Sequence, residues 1–222
     1  RIQADEPADD SRFTFHVSRH LQSATPALPQ SSEVITIVSG LPRSGTSMMM
    51  QMLDAGGLEP LTDEVRATDA SNPRGYFEYE PVKRLGTNSS WLPEAKGKVV
   101  KNIAQLLPYL PHGLEYRVIF MEREISEILA SQRKMLERDG KQGGKITDER
   151  LGQLFNQQLQ QVKRRLAVQK IPTLYISHRA AVEQPAQVAA RVNAFLGGGL
   201  DEAAMAGVID PTKVVRSALQ NA

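Results

Sequence analysis

The sequence predicts an α/β domain in three layers, a parallel sheet with helices on both faces. Three observations carry that expectation. Short, apolar, β-branched runs recur along the chain, at Val34–Val38, Lys98–Lys101, Arg117–Met121 and Thr173–Ile176; strands buried on both faces of a parallel sheet have this character. Helical segments alternate with these runs, which implies right-handed crossover connections. The composition, 222 residues with 41% hydrophobic and 23% charged, supplies the core of one globular domain.

Residues 1–32 are rich in Asp, Ser, Gln, Ala and Pro, with one short alternating piece at Phe13–Val17. They are expected to form an N-terminal arm or linker, leaving 33–222 as the α/β domain. The domain opens on the strand Val34–Val38. A Gly/Pro turn follows from Gly40 to Gly45, then a helix over Thr46–Ala55 that Gly56-Gly57 stops. The second and third strands are Lys98–Lys101 and Arg117–Met121, and a helix over Ile125–Arg138 follows the third. Arg138–Lys145 is a glycine-rich basic loop.

Thr147 suits an N-cap, with Asp148 and Glu149 favourably placed in the first turn of the next helix. Leu151, Leu154, Phe155, Leu159, Val162 and Leu166 give that helix one apolar stripe. The last strand, Thr173–Ile176, leads to a helix over Pro185–Leu196 ended by Gly197-Gly198-Gly199. Sites in such sheets lie at the carboxyl ends of the strands. Function is therefore expected in the loops after Val38, Met121 and Ile176.

Charge and composition remove several classes. With 27 Lys+Arg against 25 Asp+Glu, the net charge of +2 gives no electrostatic case for a nucleic-acid partner. The absence of Cys excludes a disulfide scaffold, thiolate zinc and a Cys nucleophile. His16, His20, His112 and His178 show no metal-ligand spacing, so no metal is expected. No apolar run approaches the roughly 20 residues of a membrane span. The opening RIQADEPADD is the opposite of a signal peptide, and a cytoplasmic location is expected.

Gly40-Leu41-Pro42-Arg43-Ser44-Gly45-Thr46-Ser47 has the spacing of a phosphate-binding loop between a strand and a helix. Its glycines let backbone N–H groups turn inward, and the helix N-terminus adds its positive end. Thr46 and Ser47 bring hydroxyl donors. An ATPase loop would carry Lys where Thr46 stands, and Arg43 is the loop's one cation. The candidate strands run out into Asn102, Arg123 and Ser177, none acidic, whereas an NTPase needs an acid there to organise Mg²⁺. The loop is built for an anion held by arginine and backbone.

VSGLPRSGTS resembles the 5′-phosphosulfate loop of sulfotransferases, which use 3′-phosphoadenosine 5′-phosphosulfate (PAPS) and carry Pro-(Lys/Arg)-Ser-Gly-Thr-(Thr/Ser) there. The family's second signature is an Arg at the end of a later strand with a Ser eight residues on; Arg123 and Ser131 have that spacing. Ser71-Asn72-Pro73-Arg74-Gly75-Tyr76-Phe77-Glu78 and Ala194-Phe195-Leu196-Gly197 are similar to segments of bacterial members, so the resemblance runs from Glu33 to Arg216. Two features depart from the cytosolic eukaryotic members: Met48 stands where they have Trp, and their C-terminal Arg-Lys-Gly segment has no counterpart here.

The resemblance implies a P-loop-type sheet and a metal-independent sulfotransferase, moving a sulfuryl group from PAPS to a hydroxyl or amine of a small-molecule or glycan acceptor. Pro42, Arg43, Ser44, Gly45, Thr46 and Ser47 would hold the 5′-phosphosulfate, with Arg43 also covering charge on the leaving group. Arg123 and Ser131 would grip the 3′-phosphate, where a guanidinium fork donates paired hydrogen bonds. The family's base is His or Glu; Glu78 falls in the matching region, and Glu80 and His112 are alternatives. Rival readings are a P-loop nucleotide kinase or NTPase and a non-catalytic nucleotide-binding module.

Other residues have plainer readings beside functional ones. Lys101 could face the phosphosulfate or simply end its strand exposed. Met48, Met49, Met50 and Met52 read as core filling. Trp91 could line an acceptor pocket or anchor its loop. Arg138–Lys145 could be a lid or a solvated loop. His178 and Arg179 lie near the sheet's carboxyl edge.

Overall fold

β1 (Ile35–Gly40) is buried along its whole length, as a strand between two helical layers requires. It pairs in parallel with β2 (Val99–Ile103) on one side and β3 (Tyr116–Glu122) on the other. β4 (Thr173–Ser177) pairs in parallel with β3, giving the order β2-β1-β3-β4. The computed structural model describes residues 33–63, 75, 77–140 and 146–209. The expected N-terminal arm, most of the 71–78 segment, the 141–145 stretch and everything after Ile209 lie outside the described residues.

The strands run further than their apolar cores. β1 continues through Ser39 and Gly40 because these pair with Asn102 and Ile103 of β2 and with Phe120 and Met121 of β3. β3 ends on Glu122. That corrects the expectation of no acid at a strand end, and Lys163 Nζ meets this carboxylate at 2.5 Å.

α1 (Thr46–Ala55), α2 (Ile125–Arg138), α3 (Asp148–Val168) and α5 (Pro185–Leu196) lie where the sequence places them. Thr147 caps α3 by accepting from Arg150 N. Gly197 ends α5 in the left-handed region at φ 95, a conformation its missing Cβ permits. Two short helices were not anticipated: α4 (His178–Glu183), capped by Ser177, and α6 (Glu202–Gly207), capped by Asp201. Glu80–Arg84, Leu92–Ala95 and Ala104–Tyr109 form 3-10 helices.

The sheet separates two apolar layers. On one face Val38, Ile119 and Met121 pack with Met49, Met50, Met52 and Leu53 of α1 and with Val188, Ala189 and Val192 of α5. On the other, Ile35, Ile37, Val118 and Phe120 meet Val162 and Leu166 of α3 and the 3-10 segments. The apolar stripe of α3 is only half used by the sheet: Val162 and Leu166 are buried, while Leu154 is exposed. Trp91 is buried in this second layer, edge-on to Tyr79 at 5.5 Å. It anchors its loop.

Candidate functional site

The carboxyl ends of the four strands carry the phosphate loop, the Arg123 turn and His178. The loop leaves β1 at Gly40 (φ 155), bends at Arg43 (φ 68) and enters α1 through Gly45 (φ 101). Ser44 N donates to the Leu41 carbonyl at 3.1 Å, closing the turn. A Cβ on Gly40 would collide with Ser44 Oγ and stand 2.7 Å from the Met121 carbonyl oxygen. Only glycine fits there. Arg43 is left-handed without being glycine, a conformation that costs about 1–3 kcal/mol and concentrates at ligand sites.

Three of the predicted residues meet in one corner. Arg43 Nε donates to Ser131 Oγ at 3.0 Å, across 88 residues of sequence. Arg123 Nη1 donates to the Arg43 carbonyl at 3.2 Å. The loop and the Arg123…Ser131 pair are thus one structure, with the first turns of α2 carrying Ser131 towards the loop. The Arg43 guanidinium leans to the α2 side, beside the expected 3′-phosphate residues.

On the other flank, Lys101 Nζ donates to Ser47 Oγ at 3.4 Å. Lys101 therefore rises beside the start of α1. Thr46 opens α1 and is half-buried, and Pro42 is exposed at the loop's tip. The first N–H groups of a helix have no partner within it, so α1 presents donors and the positive end of its dipole to the loop.

The candidate bases separate. Glu78 sits beyond the outer edge of β2: its carbonyl accepts from Asp63 N at 3.2 Å and from Thr62 Oγ1 at 2.9 Å. Leu61, two residues earlier than Asp63, donates to the Val99 carbonyl of β2 at 2.8 Å. β2 and β1 therefore stand between Glu78 and the Arg123 corner. Glu80 pairs with Lys83 at 2.6 Å on an exposed 3-10 turn. His112 lies exposed in the turn before β3. That is the amino end of the sheet, opposite the loop, and His112 is removed as a candidate base.

Two groups at the site were not assigned from sequence. Glu127, in the first turn of α2, accepts from Arg123 Nε at 2.9 Å; its four-residue spacing from Arg123 was the available signal. His178, the first residue of α4, is packed so closely on Gly45 that a Cβ there would stand 2.7 Å from its Cδ2. Burial, then the Arg123 guanidinium, push its pKa down to about 4, with Glu127 pulling the other way. The imidazole is neutral at neutral pH.

A cavity of about 500 Å³ opens at the carboxyl ends of β3 and β4, lined by Leu41, Ser44, Arg123, Glu127, Ser177 and Arg179 among others. Ser44 is 1% exposed, and its Oγ has no hydrogen-bond partner among the described residues. Arg179, mostly exposed, lies 3.5 Å from Glu183.

No family model matches the chain, and no curated protein matches it. Among solved structures, an unliganded sugar kinase from Janibacter sp. HTCC2649 matches over 79% of this chain and 97% of that chain, at 12% identity and a TM-score of 0.38. A likeness of that size assigns neither activity nor substrate. Among the described residues, no group of three His, Asp or Glu is arranged to hold a metal ion, and no helix is long and apolar enough to cross a membrane.

Proposed function

We propose that the chain is a PAPS-dependent sulfotransferase. The observation that carries this reading is the meeting of its two sequence signatures, the PRSGTS loop and the Arg123…Ser131 pair, through Arg43 Nε to Ser131 Oγ (3.0 Å) and Arg123 Nη1 to the Arg43 carbonyl (3.2 Å). PAPS carries two anionic groups on one nucleoside. The residues fit such a ligand: a tightly curled loop at a helix N-terminus for one group, and paired arginines with a serine for the other.

In this reading Gly45, Thr46 and Ser47 hold the 5′-phosphosulfate through backbone and hydroxyl donors. Arg123, Arg43 and Ser131 hold the 3′-phosphate. An acceptor hydroxyl or amine attacks sulfur in line and the sulfur–oxygen bond to the bridging oxygen breaks, leaving 3′,5′-bisphosphate (PAP). Glu78 takes the acceptor's proton. Lys101 and the loop amides stabilise the charge that grows on the bridging oxygen, a role Arg43 shares if its guanidinium swings back over the loop. The placement of Glu78 beyond β2, opposite the Arg123 corner, supports an acceptor side distinct from the nucleotide side.

The kinase or NTPase alternative draws on one feature, the acid Glu122 at the end of β3 beside β1. Its pairing with Lys163 and the missing loop lysine weigh against it. A binding screen of PAP, ATP and GTP, each with Mg²⁺ and with EDTA, separates the two. The sulfotransferase reading expects PAP to bind best and equally well in EDTA. Strict Mg²⁺ dependence with preference for ATP would replace it.

A further inference from the structure

Arg123 does not meet the site alone. Its Nε is held by Glu127 Oε2 at 2.9 Å, and its Nη1 by the Arg43 carbonyl at 3.2 Å. Its side chain is 22% exposed and that of Glu127 42% exposed, so the carboxylate can turn away to solvent while the guanidinium stays. Both residues line the cavity that also reaches Ser44. A phosphate that takes the guanidinium fork in paired fashion needs two adjacent N–H donors, and the Nε edge of that fork already carries a carboxylate.

We propose that Glu127 is a built-in competitor at the anion site, a carboxylate that a phosphate taking the Nε edge of Arg123 must displace. The proposal rests on the reading of Arg123 as a phosphate ligand and names the residue that sets the threshold for it. Exchange of one anion for another keeps the guanidinium compensated at every stage. It also discriminates. A dianionic phosphate outcompetes a carboxylate at a guanidinium, a singly charged group does so poorly, and a ligand with nothing to place there leaves the pair intact. Glu127 thereby sets a threshold that favours a dianionic group over a singly charged one at Arg123, at the expense of absolute affinity.

The sign of the effect distinguishes this from a merely supporting role. A residue that only orients Arg123 weakens binding when removed. A competitor strengthens it. Wild-type protein, Glu127→Gln and Glu127→Ala are titrated calorimetrically with PAP, AMP and inorganic pyrophosphate. A part-buried, part-solvated pair of this kind is modest in strength, so the expected gain is about three- to tenfold in PAP affinity for both variants, with less than about twofold change for AMP.

Unchanged or weaker PAP binding in both variants overturns the proposal. If wild-type protein shows no preference for PAP over AMP, the sulfotransferase reading fails, and pyrophosphate then decides the question. Tighter pyrophosphate binding in the variants upholds Glu127 as competitor; unchanged binding rejects it.

Discussion

On the β3 side of the phosphate loop, Arg43, Arg123, Ser131 and Glu127 are joined by side-chain hydrogen bonds and an ion pair that cross-link β1, β3 and α2. On the β2 side, Lys101 reaches Ser47 at 3.4 Å, and Glu78 is positioned through its main-chain carbonyl by Thr62 and Asp63. One flank is cross-linked by converging charged side chains; on the other, a lysine meets a serine at the start of α1 and a loop carbonyl is held by Thr62 and Asp63. On the proposed sulfotransferase reading, the difference matches two demands. A nucleotide common to all reactions of an enzyme is held best by a preorganised grip, because geometry fixed in advance costs little on binding. An acceptor that varies calls for a surface built on loops, which a rigid scaffold positions.

The largest expected effect breaks the comparison on the β2 flank. If the proposed role of Glu78 as general base is right, Glu78→Gln should lower single-turnover sulfuryl transfer by about 10²–10⁴, while PAP affinity stays near that of the wild type. A variant that turns over normally moves the role to Glu80, the remaining carboxylate of that segment.

Next in size is a change at the root of the loop. Gly40→Ala forces a Cβ against Ser44 Oγ and the Met121 carbonyl at a positive φ. Together, strain and overpacking should cost about 2–4 kcal/mol of stability, read from denaturant unfolding. The same change should abolish binding at both flanks, since the loop joins them. Wild-type stability would mean that β1 and β3 separate easily at their carboxyl ends.

A smaller effect sharpens the β3 flank. The pKa of His178 is depressed to about 4 in the folded protein against an ordinary 6.5, so the unfolded chain binds the proton more readily. The stability it implies is complete above pH 6.5 and is lost as pH falls from 6.5 towards 4. With the ring partly solvated, about 1–2 kcal/mol should disappear over that window. His178→Gln should flatten this part of the stability profile; an identical slope in the variant would place the acid sensitivity elsewhere.

The sheet and the loop were legible because their signals are local. Apolar β-branched runs marked all four strands, glycine spacing marked the loop, and Thr147 announced α3. Strand ends were less legible. Ser39-Gly40 has the composition of a turn, yet pairing with β2 and β3 on both sides carries the strand through it. Ser177 and Asp201 were visible caps, but α4 and α6 have six residues each and too little periodicity to register. At the site, the resemblance singled out Arg123 and Ser131, but the guanidinium that meets Ser131 is that of Arg43, with Arg123 bonded to the Arg43 carbonyl. The seating of His178 on Gly45 could not be anticipated, since it joins residues 133 positions apart with no motif to relate them. His112 precedes β3, so sequence order already put its turn at that strand's amino end, away from the loop.

The central claim is that the β3 flank reads a 3′-phosphate, and calorimetric titration of wild-type and Arg123→Ala protein with PAP and with AMP, in EDTA, tests it most directly. Loss of a charge-assisted contact of about 1.5–3 kcal/mol predicts a PAP affinity roughly ten- to hundredfold weaker in the variant. AMP affinity should change little. Equal losses for PAP and AMP would show Arg123 to be a brace for the Arg43 carbonyl alone, and would contradict the assignment of this flank to the second phosphate.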